Sequence, residues 1–262
     1  KPNKRRRGRD ARDADVLHSS DEPAGGGFQV NDEIMIGIAM IVSLAIALSL
    51  HEWAHALVAT WRGDTTARDE GRLTINPLAH IHPVMTIALP ALLWFVLPAI
   101  LGTPPMIFGG AKPVPVVESN LKSPARDMML VAIAGPISNL LLAVLGLGAL
   151  RVMELNGLVL GNTPITEQPM ATQMVMEFVK FNVLLTAFNL IPIPPLDGSR
   201  VASYVLPPLR PVFRALEFWG LFLVFAAVFL IPGFQEWLFL RMHDLYAALE
   251  QGVQWVSDLA GY

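Results

Sequence analysis

Residues 51 to 55 read His51-Glu52-Trp53-Ala54-His55 and lie inside an apolar run that extends from Ile34 to Trp61. If this run is a helix, two imidazoles four residues apart share one face, with about 6 Å between their Cβ atoms. That spacing lets both imidazoles bind one metal ion, and the carboxylate between them lies where a general base is needed. The stretch therefore predicts a metal-dependent hydrolase site on a helix.

The setting of the motif strengthens this prediction. Histidine and glutamate in the middle of a stretch long enough to span a bilayer are costly to desolvate, and such residues usually have a task. The alternative is a pair of histidines that are hydrogen-bonded inside a helical bundle without any metal. We favour the metal site because such residues rarely occur in membrane spans without a task.

The composition indicates a membrane protein. Of the 262 residues 53% are hydrophobic and 16% are charged, and the mean hydropathy is +0.48; a soluble domain has about 25% charged residues. The absence of cysteine excludes disulfides, a cysteine zinc site and a cysteine nucleophile. The net charge of -3 gives no indication of nucleic-acid binding, so we expect no nucleic-acid partner.

The chain divides into a tail, one membrane domain and a terminal helix. Residues 1–30 are polar, rich in Arg and Asp, and predicted to be disordered; their basic cluster indicates a solvated tail or, less favoured, a binding site for lipid phosphates or nucleic acid. Residues 31–232 form the predicted membrane domain. Residues 233–262 carry apolar side chains at helical spacing, which predicts an amphipathic helix on the membrane or on the bundle.

The predicted fold class is an all-α polytopic membrane protein with short extended or β segments. Two stretches are expected to be extended, 71–76 because apolar and polar residues alternate, and 108–117 because of its prolines. The second apolar segment is short and interrupted by Pro90 and Pro98. Five apolar segments are predicted, at 34–61, 84–101, 127–153, 175–196 and 216–231.

The best candidate for a third metal ligand is Asp197, which ends the fourth apolar segment. Three prolines, Pro192, Pro194 and Pro195, break that segment out of regular helix, and irregular backbone at membrane depth is tolerated where it is buried in protein or lines a wet cavity. The alternative is a capping aspartate in an Asp-Gly turn. Together with the two histidines, the broken run favours a ligand.

This ligand set makes a demand on topology. His55 and Asp197 both lie toward the carboxyl ends of their segments, so the two segments must run in the same direction. The chain between them must then cross the membrane an odd number of times, and the second segment should re-enter or lie in the interface. Three loops are rich in Lys and Arg: the one after the first segment, the one before the third and the one after the fourth. If the second segment does not cross the membrane, these loops share one side, which is predicted to be cytoplasmic.

Three motifs occur in order along the chain: residues 51–55, the stretch 135–139 (Gly-Pro-Ile-Ser-Asn), and the run from Asn189 through Pro192 to Leu196-Asp197-Gly198. Together they resemble the site-2 proteases, intramembrane zinc metalloproteases of peptidase family M50. Residues 71–83 and 108–116 are similar to a compact bacterial and archaeal branch that lacks a PDZ domain. The sequence departs from that branch at Gly110, where an aromatic residue is expected, and at His82, where aspartate is expected.

The resemblance implies that His51, His55 and Asp197 bind one Zn²⁺ per chain and that Glu52 is the catalytic acid–base. It also implies that Asn139 and Asn189 lie near the site, where they would hold substrate or the oxyanion. His82 is expected to face water rather than the metal.

The predicted function is therefore zinc-dependent hydrolysis of peptide bonds in or near transmembrane helices, in regulated intramembrane proteolysis. The expected partners are a transmembrane protein substrate and the lipid bilayer of a prokaryotic cell membrane, with the active site toward the cytoplasm. An exposed edge of 71–76 or 108–117 is expected to pair with the unwound substrate. Two alternatives are a metal-ion transporter, which broken helices also fit, and a non-catalytic scaffold that binds helices.

Overall fold

The computed structural model describes residues 30–102, 104, 107–160, 163, 164 and 167–260, and within these residues the fold is helical without a β-strand. The predicted disordered tail therefore lies outside the described residues, apart from its last position. The α-helices are α1 Val30–Arg62, α2 Thr66–Asp69, α3 Leu89–Ala91, α4 Leu97–Leu101, α5 Pro124–Leu155, α6 Met170–Asn189, α7 Asp197–Val205, α8 Arg210–Glu217, α9 Gly220–Leu230 and α10 Phe234–Leu259.

The long helices α1, α5 and α6 pack against one another and form the centre of the bundle. By length and composition, three helical stretches can cross a membrane: Ile34–Arg62, Pro83–Leu101 and Pro124–Leu155. A bent pair, Pro207–Glu217 with Phe222–Val228, would add a fourth. Apolar helices of this length are typical of membrane spans and longer than the apolar helices of a soluble core, so the chain is an integral membrane protein.

Two apolar clusters hold this bundle together. The first joins α1 to α6 through Leu44, Leu48, Phe181 and Leu185. The second joins α5 to α6, and α10 covers it with one apolar face. The residues that α10 contributes are Met242, Leu245, Tyr246, Leu249 and Val253. The C-terminal helix thus packs on the bundle along this face.

The second apolar segment is helical and runs antiparallel to α1. It combines π-helical turns at Pro83–Ala88 and Leu92–Val96 with the short α3 and α4. Trp94 and Phe95 pack against Gly37, near the start of α1. Its helical path therefore leads away from the end of α1 at which the polar loop 63–82 begins.

Residues 107–117, which we call the strap, then return along α1 and α6. Ile107 and Ala111 pack against the cluster that joins these helices. At the far end of the strap the Val117 N–H donates to Asp64 Oδ2 (2.7 Å), and the Lys122 N–H donates to the Arg62 carbonyl (3.0 Å). The loops before and after the second segment thus meet at the same end of α1.

The short β-strand expected at 71–76 is wrong, because no strand occurs among the described residues, while residues 108–117 form neither helix nor strand. In 71–76, Gly71 has φ +69°, and the Thr74 and Asn76 side chains accept from the backbone N–H groups of Asn76 and Leu78, so the chain turns into a 3₁₀ turn at Pro77–Ala79. The alternation there reflects a capped turn instead of a pleat. Four backbone N–H groups of the strap donate to carbonyls or carboxylates of helices and loops, and the strap pairs with no strand among the described residues.

The end of α6 and the start of α7 are joined by a tight irregular turn at residues 190–196. Gly198 allows this turn, because a Cβ there would lie 2.2 Å from the Leu190 carbonyl oxygen and 2.6 Å from that of Ile191. Only glycine lets α7 begin this close to the end of α6. The turn directs Asp197, the first residue of α7, toward α1.

Candidate active site

The structure brings His51, His55 and Asp197 together in the centre of the bundle. The two histidines share one face of α1 and are buried, and Asp197 approaches from the start of α7. Nε2 of His51 lies 2.9 Å from Nε2 of His55. Oδ2 of Asp197 lies 3.2 Å and 3.4 Å from these two nitrogens. The convergence expected of the first and fourth segments is therefore present, while the number of membrane crossings between them stays a prediction.

The neighbours of the imidazoles fix which ring nitrogens carry hydrogen. His55 Nδ1 lies 2.7 Å from the carbonyl oxygen of Val131, which can only accept. Asn139 donates from Nδ2 to the Ala47 carbonyl, so its Oδ1, which lies 2.6 Å from His51 Nδ1, must accept. Both neutral rings therefore carry hydrogen on Nδ1, and both Nε2 atoms present bare lone pairs.

Three electron-pair donors thus converge without a hydrogen between them. Asp197 Oδ2 is buried and has no hydrogen-bond partner among the described residues. Such groups repel one another unless a cation lies among them. A tetrahedral zinc ion with bonds of about 2.0–2.1 Å keeps its ligand atoms about 3.3 Å apart. The observed separations of 2.9, 3.2 and 3.4 Å fit that geometry.

Gly135 makes room for the imidazole pair. A Cβ at this position would lie 2.5 Å from Cε1 of His51 and 2.5 Å from both Cε1 and Nε2 of His55. Any side chain would therefore occupy the space of the rings. The Gly-Pro-Ile-Ser-Asn stretch of α5 thus contributes a gap at its first residue and a hydrogen-bond acceptor, Asn139, one turn later.

The Asn139 side chain is fully buried, and both its oxygen and its nitrogen form hydrogen bonds inside the bundle. Besides its bonds to His51 and the Ala47 carbonyl, it donates from Nδ2 to Oδ1 of Asn182 at 2.9 Å. Asn182 belongs to α6 and donates in turn to the Phe178 carbonyl. This network links three helices to one imidazole. A direct role of Asn139 toward substrate stays a prediction, while its contact with His51 is a feature of the fold.

Two other predicted positions lie outside the three-residue group. Asn189 is the last residue of α6 and is half-buried, with its Nδ2 donating to the Leu185 carbonyl at 3.0 Å. Its predicted substrate role stays a prediction. His82 caps the π-helical turn at Pro83–Ala88, where its Nδ1 accepts from the Met85 N–H at 3.2 Å.

Glu52, the predicted acid–base, is half-buried on α1 between the two histidines. Its Oε2 accepts a hydrogen bond from the backbone N–H of Val114, at 2.8 Å. Val114 belongs to the strap, so an element 62 residues further along the chain contacts this carboxylate. Sequence reasoning missed this contact because a backbone amide has no signature of its own.

Asp64 joins the strap to the end of α1 and was also missed. It is fully buried and accepts from the Thr66 N–H and hydroxyl, the Val117 N–H and the Asn120 amide. Burial alone would raise the pKa of the Asp64 carboxyl, but the hydrogen bonds from Thr66, Val117 and Asn120 outweigh it and lower the pKa below its ordinary value. Asp64 is therefore ionised in the folded protein at neutral pH.

Comparison with known proteins decides the family. A family model described as peptidase family M50 matches residues 103–231, which include Gly135, Asn139 and Asp197. A relative in Bacillus subtilis, named "Putative zinc metalloprotease YwhC", is 36% identical over 194 residues, which are 74% of this chain and 80% of that protein. The chain belongs to peptidase family M50, the site-2 protease family.

Further M50 relatives have the same description. "Putative zinc metalloprotease Rip2" of Mycolicibacterium smegmatis is 31% identical over 226 residues, 86% of this chain and 74% of that protein. Its namesake in Mycobacterium tuberculosis H37Rv is 32% identical over 227 residues, with the same two shares. No solved structure matches the chain. As an M50 member with this His, His and Asp group, the protein is a zinc metalloprotease with one Zn²⁺.

Proposed function

We propose that this M50 protein hydrolyses peptide bonds in or near transmembrane helices of membrane-protein substrates, as in regulated intramembrane proteolysis. The observation that carries the proposal is the convergence of His51, His55 and Asp197 between membrane-spanning helices, with Glu52 beside them. A soluble substrate would not require a site built into apolar helices. A metal carrier would not require a carboxylate between the two histidines.

The residues divide the chemistry among them. His51 and His55 would hold the zinc through Nε2, and Asp197 through Oδ2, since these atoms face one another without hydrogen. When bound, zinc supplies a Lewis acid that polarises the carbonyl to be attacked. Glu52 removes one proton from the attacking water and delivers it to the leaving nitrogen as the C–N bond breaks. The Asn139 amide and the Val131 carbonyl keep both imidazoles in the required tautomer.

Access to the site is proposed from the side of the polar loops. The second segment and the strap form a hairpin, and the Val117 N–H at the end of the strap donates to Asp64 in the loop before the second segment, which supports a re-entrant segment. The loops rich in Lys and Arg then share the side on which α1 ends, and the positive-inside rule makes that side cytoplasmic. A helical substrate must unwind near the strap before its carbonyl reaches the zinc.

Replacement of Glu52 tests the function directly. Cells that produce the wild-type chain should release membrane-protein fragments that are missing when Glu52→Gln is produced, as detected by terminal labelling of the membrane fraction. Glu52→Gln should keep its zinc, because glutamine changes no ligand. Glu70→Gln, an exposed substitution of the same kind, is the matched control and should leave the fragments unchanged. Identical fragments with and without Glu52 would refute the proposal.

A further inference from the structure

Three alternate residues of the strap form backbone hydrogen bonds along one of its edges. Gly110 donates its N–H to the Met85 carbonyl at 3.1 Å. The Lys112 N–H donates to the His80 carbonyl at 2.8 Å. The Lys112 carbonyl accepts from the guanidinium of Arg72, a buried residue, at 2.7 Å. Residues of the strap with this period point to the same side, as in an extended chain. The next residue in the series is Val114.

Val114 also donates its backbone N–H on this edge, but its acceptor is a side chain. Its N–H donates to Oε2 of Glu52 at 2.8 Å. Pro113 and Pro115 lie on either side of it and have no N–H. Val114 is therefore the single backbone donor in these three residues, and the two prolines restrict how its peptide plane can turn. The sequence Pro-Val-Pro thus delivers one amide to one carboxylate oxygen.

We infer that the Val114 amide is a positioning group for the proposed acid–base. A glutamate side chain has three rotatable bonds, and a carboxylate that must transfer a proton has to be held in one orientation. The charge-assisted bond from Val114 holds Oε2. Oε1 is thereby the oxygen left to exchange protons with water and the leaving nitrogen. The inference rests on the proposed function because it assigns Glu52 to proton transfer.

The packing of the strap makes this positioning effective. Ile107 and Ala111 pack against the buried cluster of α1 and α6, and Asp64 fixes the other end through Val117. The strap is thus held against α1 and α6 before Val114 and against the loop that follows α1 after it. Arg72 and His80 contact the strap at Lys112.

Hydrogen exchange tests the contact without any need for activity. In the full chain in detergent, the Val114 amide should exchange slowly, and Glu52→Ala should accelerate its exchange by about tenfold or more, since the partner is lost. Val117, whose N–H bonds to Asp64 in the same strap, is the internal control and should not change. Exchange at Val114 that is the same in both proteins would overturn the inference, as would equal acceleration at Val114 and Val117.

A backbone substitution tests the effect on the reaction. Incorporation of the α-hydroxy acid analogue of valine at position 114 replaces the N–H by an ester oxygen and adds no bulk. With a fluorescently labelled peptide of one transmembrane helix, in detergent, as the probe, we expect kcat to fall by about tenfold or more, because a hydrogen bond to a charged group is lost. KM and zinc content should stay within about twofold of the wild type, since neither involves this amide.

The matched control is an ester at position 119, outside the strap, introduced as the α-hydroxy acid analogue of serine. Ser119 is exposed and its N–H bonds to no described residue, so its replacement should leave kcat unchanged. Equal losses at positions 114 and 119, or no loss at 114, would overturn the inference. If the wild-type chain and Glu52→Gln cleave the probe equally, the proposed function fails, whereas the exchange experiment still decides whether Val114 holds Glu52.

Discussion

Asn139 Oδ1 lies 2.6 Å from Nδ1 of His51, so an asparagine of α5 determines which nitrogen of a histidine on α1 is bare. Outer hydrogen bonds of this kind orient metal-binding imidazoles, and their loss typically lowers metal affinity by about 10- to 100-fold. Asn139→Leu keeps the approximate volume and removes the acceptor. We expect its zinc affinity, measured by competition with a chelating dye, to fall by that factor.

Ser138→Ala is the control for this substitution. The Ser138 hydroxyl donates to the Gly135 carbonyl within the same helix and does not contact the imidazoles. Its zinc affinity should match the wild type. Wild-type affinity in Asn139→Leu would show that the bond to Asn139 does not orient His51.

Gly135→Ala should abolish zinc binding and cleavage, because its methyl group would lie 2.5 Å from atoms of both imidazoles. Gly148→Ala is the matched control, since it lies in the same helix and an added Cβ there has no described atom within 4 Å. Alanine in a helix interior is about 1 kcal/mol more favourable than glycine, so Gly148→Ala should unfold at an equal or higher Tm. Zinc per chain and Tm measure both effects, and full zinc in Gly135→Ala would contradict the close approach.

Asp197→Ala should lower the zinc content of the purified protein well below one per chain, because two imidazoles alone hold zinc less tightly than three ligands. The comparison is with Asp69→Ala, an exposed aspartate outside the group. Metal analysis of the two proteins, purified in parallel, checks the expectation. Equal zinc in both would remove Asp197 from the proposed ligand set.

The sequence predicted the parts of the site that depend on side-chain spacing. His51 and His55 face the same way because four residues make about one helical turn, and three prolines indicated the break that frees Asp197 from α6. The motif order also indicated the family. The second segment follows α1, and the strap after it returns along the same helix. Re-entry of this segment into the membrane, which its length and two prolines indicated, stays a prediction.

The parts that the sequence did not predict depend on backbone groups and on partners distant in sequence. The contact between Val114 and Glu52 uses a main-chain N–H, which every residue except proline has. Asn182 on α6 accepts a hydrogen bond from Asn139 on α5, and no local sequence pattern indicates this contact. The short strand expected at 71–76 failed because alternation predicts a strand only where a partner strand is available.

Asp64→Asn should destabilise the protein in a pH-dependent way. Because the folded pKa of Asp64 is lowered, its ionised form adds stability that is complete above the ordinary pKa of about 3.9 and is lost as the pH falls from there through the folded pKa. At neutral pH we expect the variant to lose about 1–3 kcal/mol, the cost of leaving buried donors without their acceptor. The loss should shrink below about pH 4.

Asp69→Asn serves as the control for Asp64, since the Asp69 side chain is exposed and its neighbour Arg68 is exposed too. Its Tm should stay within a degree or two of the wild type, because exposed ion pairs contribute about 0–1 kcal/mol. Tm measured in detergent from neutral to acidic pH compares the two variants. A constant difference between Asp64→Asn and wild type across that range would contradict a lowered pKa.

The membrane topology can be measured by direct labelling, because the 262-residue sequence has no cysteine and each single substitution gives one thiol. Glu70, Ser119 and Asn156 are exposed in the loops before the second segment, before α5 and after α5. If the second segment re-enters, Glu70→Cys and Ser119→Cys should react with an impermeant maleimide from the cytoplasmic side, and Asn156→Cys from the opposite side. Labelling of right-side-out and inverted vesicles measures this. Reaction of positions 70 and 119 from opposite sides would mean that the segment crosses the membrane and that the contact between Asp64 and Val117 does not form.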